Sequence, residues 1–73
     1  MNTRFEIRPY AKAELAMLYF PYSTPAVAAS HLMRWIRRIP ELNDRLQKTH
    51  YVKTQKHFTS TQVRLIIEYI GEP

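Results

Sequence analysis

Along this chain, stretches in which apolar residues return every three or four positions are separated by prolines. From Pro25 to Arg38, PAVAASHLMRWIRR, Ala28, Leu32, Trp35 and Ile36 recur at i, i+4, i+7 and i+8, the spacing of a helix with one buried side. Thr24 suits the N-cap and Pro25 the first helical position. His31, Arg34 and Arg38 fall on another side, flanked by Ser30 and Arg37. The pattern predicts a helix that buries one face, with Trp35 as the largest core anchor, and turns the other towards something anionic.

The flanking segments read in the same way. Thr3 to Arg8 alternates Thr3, Phe5 and Ile7 with Arg4, Glu6 and Arg8, which predicts a short half-buried strand ended by Pro9. Ala11 to Tyr19 is rich in helix formers, with Ala11, Leu15, Leu18 and Tyr19 as one stripe and Ala13, Met17 and Phe20 as a second. A helix apolar on most sides needs central burial or a partner subunit. Phe20 to Thr24, FPYST, is the turn. Phe20 and Tyr22 flank Pro21, where burying both is difficult, so they are candidates for an interface.

Ile39-Pro40 breaks the long helix, and Ile39, Leu42 and Leu46 start a short third one, with Glu41 and Arg45 oriented to suit the helix dipole. Thr49 to Phe58 lacks the Gly, Asn or Asp of a tight hairpin. It is expected to be extended over Tyr51 to Lys53 and then wing-like, exposing Lys53, Lys56 and His57. The last helix is the most fully signalled. Thr59 and Gln62 form a capping box, Phe58 and Val63 a hydrophobic staple, and Val63, Ile66, Ile67 and Ile70 the inward stripe. Gly71 then stands where a left-handed cap belongs. The expected fold is mainly α: one domain over residues 1–73, with four helices, a short N-terminal strand and a wing-like segment. The first, second and fourth helices form its core and the third braces it.

Charge sharpens the picture. The net charge is +5, and residues 34–56 carry all of it: Arg34, Arg37, Arg38, Arg45, Lys48, Lys53 and Lys56 stand against only Glu41 and Asp44. Elsewhere Arg4, Arg8, Lys12 and Arg64 balance Glu6, Glu14, Glu68 and Glu72. Clustered positive charge is the footprint of a polyanion partner, although a basic surface also serves solubility alone. Size adds a constraint, since a chain of 73 residues has room for one small core.

Several functions find no support. There is no cysteine, which excludes disulfides and thiolate metal sites and fits a reducing cytoplasm. His31, His50 and His57 are not spaced as a helical metal pair, so no metal or other cofactor is expected. One glycine cannot build a phosphate-binding loop, and Ser30 and His31 are neighbours that diverge around a helix. Neither an enzyme nor a small-molecule substrate is expected. The longest apolar run, LAMLYF, is too short to span a bilayer, and MNTRFEIRPY lacks the apolar core of a signal peptide. A soluble, intracellular protein without a membrane role is expected.

Three segments, IRPYAKAELAMLYFP, LMRWIRR and FTSTQVRLIIEYIGEP, span most of the chain and resemble a family of short Bacteroidales-type proteins with no assigned activity. That resemblance transfers no site residues. The looser pattern of an ELAxLY helix, a helix with RWI and a final FTxxQVxxI helix is similar to helix-turn-helix proteins of the excisionase and regulator type. That likeness implies a DNA-reading role for the second helix, although the FPYST turn is longer and the wing lacks glycine. The expected function is non-catalytic nucleic-acid binding, of DNA first, through Ser30, His31, Arg34, Arg37, Arg38, Lys53 and Lys56. The alternative is a protein-interaction or homodimerisation module that uses Phe20 and Tyr22.

Overall fold

The computed structural model describes residues 5–52 and 54–73. The chain runs β1 (Tyr10–Ala11), α1 (Lys12–Tyr19), α2 (Pro25–Arg38), α3 (Pro40–Gln47), β2 (His57–Phe58) and α4 (Ser60–Ile70). It is mainly α, with one short antiparallel sheet in which Tyr10 faces Phe58 and Ala11 faces His57. The Lys12 N–H extends that ladder to the Lys56 carbonyl at 2.9 Å.

Local chemistry accounts for the helix ends. Thr24 Oγ1 accepts from the Val27 N–H at 3.3 Å, with Pro25 in the first turn. Thr59 and Gln62 form the reciprocal capping box of α4, at 3.2 and 3.0 Å. At α1 only half of such a box exists, because Glu14 accepts from the Ala11 N–H at 3.4 Å while Ala11 has no acceptor to return. His50 takes the left-handed backbone (φ 66°) as the chain turns back after α3. Gly71 caps α4 at φ 102° and ψ 167°, an extended conformation open essentially to glycine alone, in place of the expected left-handed helical one.

The core gathers Leu15 and Ala16 of α1, Ala28, Leu32 and Ile36 of α2, Leu42 and Leu46 of α3, and Val63, Leu65 and Ile66 of α4, closed by Tyr10, Tyr51 and Phe58. Three further expectations change. The described N-terminal strand lies at Tyr10–Ala11, and Phe5 to Arg8 form none. Thr3 and Arg4 fall outside the described residues, and Phe5, stacked on Tyr10 with ring centroids 5.4 Å apart, packs without pairing. Helix α3 is as deep as the others, since Leu42 and Leu46 are fully buried. Ile67 and Ile70 are only partly buried, and Gln62 joins Val63 and Ile66 on the inward side.

Gln62, at 1% exposure, is the only buried polar side chain among the described residues. Its Oε1 accepts from the Thr59 N–H at 3.0 Å and from Gln55 Nε2 at 2.7 Å, and its Nε2 donates to Thr49 Oγ1 at 2.9 Å. Gln55 also donates to the His57 carbonyl and accepts from the Val52 N–H. A glutamine buried with its amide satisfied keeps its cost small, and here it ties the irregular segment after α3 to α4.

Candidate nucleic-acid interface

The exposed side of α2 carries Ser30, Arg34, Arg37 and Arg38, and no acidic residue occurs anywhere in this helix. The opposite side is clamped into the core through Ala28, Leu32 and Ile36, which fixes the direction of the basic side. Ser30, Arg34 and Arg37 line a shallow groove with Lys12, Ala29 and Met33. A second depression continues from it, sharing Lys12 and Ala29 and walled by Pro25, Ala26 and residues 54–57. One flank of α2 therefore faces Lys56 and His57 across an open trough, which the β1–β2 pairing positions.

The expected residues divide between two flanks. Ser30, Arg34, Arg37 and Lys56 come together along the trough. His31 and Arg38 turn to the other flank, where Arg38 borders a depression with Trp35, Ile39 and Ile70, and His31 lies against Phe20 with centroids 5.2 Å apart. Lys53 lies outside the described residues. Lys12 and His57 belong to the trough and were not among the expected binding residues. Lys12 opens α1 directly after β1, so its place depends on a strand pairing that no local pattern announces. Its Nζ also lies 4.7 Å from the Tyr51 ring centroid, within cation–π range.

Carboxylates are engaged elsewhere. Arg8 pairs with Glu14 at 3.3 Å and Glu6 at 3.8 Å, Arg45 with Glu68 at 3.5 Å, and Lys48 with Asp44 at 4.0 Å. Glu41 accepts from the Tyr69 hydroxyl at 2.6 Å. That hydroxyl also accepts from Arg45, whose pKa it raises. Among the described residues Arg34, Arg37, Arg38 and Lys56 form no ion pair.

Trp35 departs from its expected role. It is 38% exposed at the core margin, packed against Phe20 (4.7 Å between centroids) and edge-on to Tyr19 (6.1 Å). Phe20 is half-buried within this ring array, whereas Tyr22, two residues further along the turn, is fully exposed. The two aromatic residues of the turn thus divide, one closing the core edge and one standing in solvent.

Among the described residues, no group of three or more His, Asp or Glu side chains is placed to hold a metal ion, and no helix is long and apolar enough to cross a membrane. The fold and surface define a small, mainly α-helical domain with an unneutralised basic helix face beside an aromatic cluster. The family model described as Domain of unknown function (DUF4248) matches residues 6–73, and the chain belongs to that family. Comparison with the curated proteins and with the solved structures gives no match.

Proposed function

We propose that this is a non-catalytic nucleic-acid-binding domain, of DNA in the first instance, whose α2 trough grips the phosphate backbone. The observation that carries this reading is the charge arrangement: the cations of α2 lack carboxylate partners while five of the six acidic side chains engage groups elsewhere. Arginine forks match phosphate oxygens bidentately, and Arg34 and Arg37, one turn apart beside Lys12 and Lys56, offer a line of such contacts. The order of α1, turn and α2 is also compatible with the helix-turn-helix outline expected from the sequence. A cytoplasmic setting fits the absence of cysteine.

The test is binding to single-stranded and duplex DNA, measured by fluorescence anisotropy over a range of salt concentrations. About four neutralised phosphates give a slope of log K against log salt of roughly −3 to −4. Arg34→Ala with Arg37→Ala should flatten that slope by about 1.5 to 2 and leave the thermal midpoint nearly unchanged, since both side chains are exposed. Absence of salt-dependent binding to either form at micromolar concentration would overturn the proposal.

A further inference from the structure

We infer that the nucleic acid this domain takes is single-stranded, with unpaired bases stacking on the open face of Trp35 and on Tyr22 of the adjoining turn while the arginines hold the backbone. The inference rests on the function proposed above, and a different set of residues carries it. His31, Phe20, Trp35 and Tyr19 form a continuous ring array with successive centroids 5.2, 4.7 and 6.1 Å apart. Phe20 and Tyr19 support the indole from within, so Trp35 is held by its neighbours while more than a third of its surface stays open. Tyr22 adds a fully exposed ring from the adjoining turn.

A partly open indole, with a fully exposed phenol on the adjoining turn, leaves flat apolar surface free for a ligand. Trp35 lies beside charge of one sign. Arg38 shares the depression of Trp35 with the apolar Ile39 and Ile70, and Arg34 lies one turn before it on the same helix. Aromatic faces next to a cationic track form the combination that binds single strands, because each base offers a π-face and each linkage a negative charge. A duplex keeps its bases stacked on one another and has no use for the rings. An acidic protein segment would use the arginines and leave the open aromatic faces without flat partners. Charge complementarity and ring exposure together favour the single strand.

Trp35 is the only tryptophan, so its emission reports on this surface alone. The experiment titrates the full chain with oligothymidylate, with an abasic strand of equal length and with a duplex of equal length. Oligothymidylate should quench Trp35 and bind more tightly than the abasic strand. Tyr22→Ala, which removes a side chain outside the packed structure, should weaken oligothymidylate binding about tenfold without lowering the thermal midpoint or changing the abasic affinity. Trp35→Leu should reduce the same preference.

Equal affinity for the abasic strand and oligothymidylate would overturn the inference, as would tightest binding to duplex with Trp35 emission unmoved. In both cases the backbone-binding proposal stands. Failure to bind any of the three removes both. Self-association that disappears in Tyr22→Ala would assign the aromatic surface to a second copy, and competition by polyglutamate equal to that by oligothymidylate would assign it to an acidic protein. Either result overturns the single-strand inference.

Discussion

Leu32 and Trp35 stand three positions apart on α2 and meet different surroundings. Leu32 is buried among core side chains, whereas Trp35 lies at their margin against Tyr19 and Phe20. Truncation should therefore rank opposite to size. Leu32→Ala leaves a cavity that close-packed neighbours fill only in part, and should cost about 3 kcal/mol. Trp35→Ala opens no enclosed void and should cost about 1–2 kcal/mol, the loss of partial burial. A domain of this size holds about 4–11 kcal/mol in total, so denaturant midpoints separate the two variants. A larger loss for Trp35→Ala would place the indole in the core after all. The stripe at i, i+4, i+7 and i+8 located Trp35 on the right flank of α2. Depth, however, depends on whether a neighbouring helix reaches that flank, and spacing along one helix does not encode this.

At the scale of elements, the helices were legible because their signals are local. Thr24 with Pro25, Thr59 with Gln62, and the breaker Ile39-Pro40 each act within one turn of the boundary they set. The sheet was not legible. Two residues on each side pair across most of the chain, and Tyr10 and Ala11 carry no alternation that marks them as a strand. The alternation between Thr3 and Arg8 did not point to it, since Phe5 to Arg8 form no strand. In the candidate site, the arginines of α2 could be read from their spacing, but the opposing wall with Lys12, Lys56 and His57 could not. Gln62 illustrates the same limit, since its capping role is local while its bonds to Thr49 and Gln55 are not. Gln62→Leu should strand those polar groups at a cost of about 1–3 kcal/mol. Hydrogen exchange should then accelerate in the segment from Val52 to His57, with the middle of α4 still protected. Uniform acceleration throughout the chain would contradict a local anchoring role.

At the scale of the whole molecule, the first helix is bound to the end of the last. The Tyr19 hydroxyl donates to the Gly71 carbonyl at 2.5 Å, and partial burial, reinforced by the charge of Glu72, raises its pKa from 10.0 to about 12. The unfolded chain therefore releases this proton first. Stability from this group is intact below pH 10 and is lost as the pH rises through about 12. The thermal midpoint should fall over that interval, and Tyr19→Phe should remove part of the fall, as followed by circular dichroism. An identical alkaline slope in the variant would show that other groups govern it.

The antiparallel pairing of Tyr10 with Phe58 also bears on the order in which the molecule assembles. Each helix closes through contacts within a few residues, whereas this ladder joins Tyr10 to Phe58, 48 positions apart, and carries the larger loop-closure entropy. The trough beside α2 is completed only when that ladder closes, so its far wall should form no earlier than the pairing of Tyr10 with Phe58. A chain with all four helices in place and the ladder still open would carry Arg34 and Arg37 without Lys56 opposite them. Gln62→Leu approaches that species from the folded side. A polyanion spanning both walls would select the finished form, making occupancy a report on the completion of folding as well as on charge.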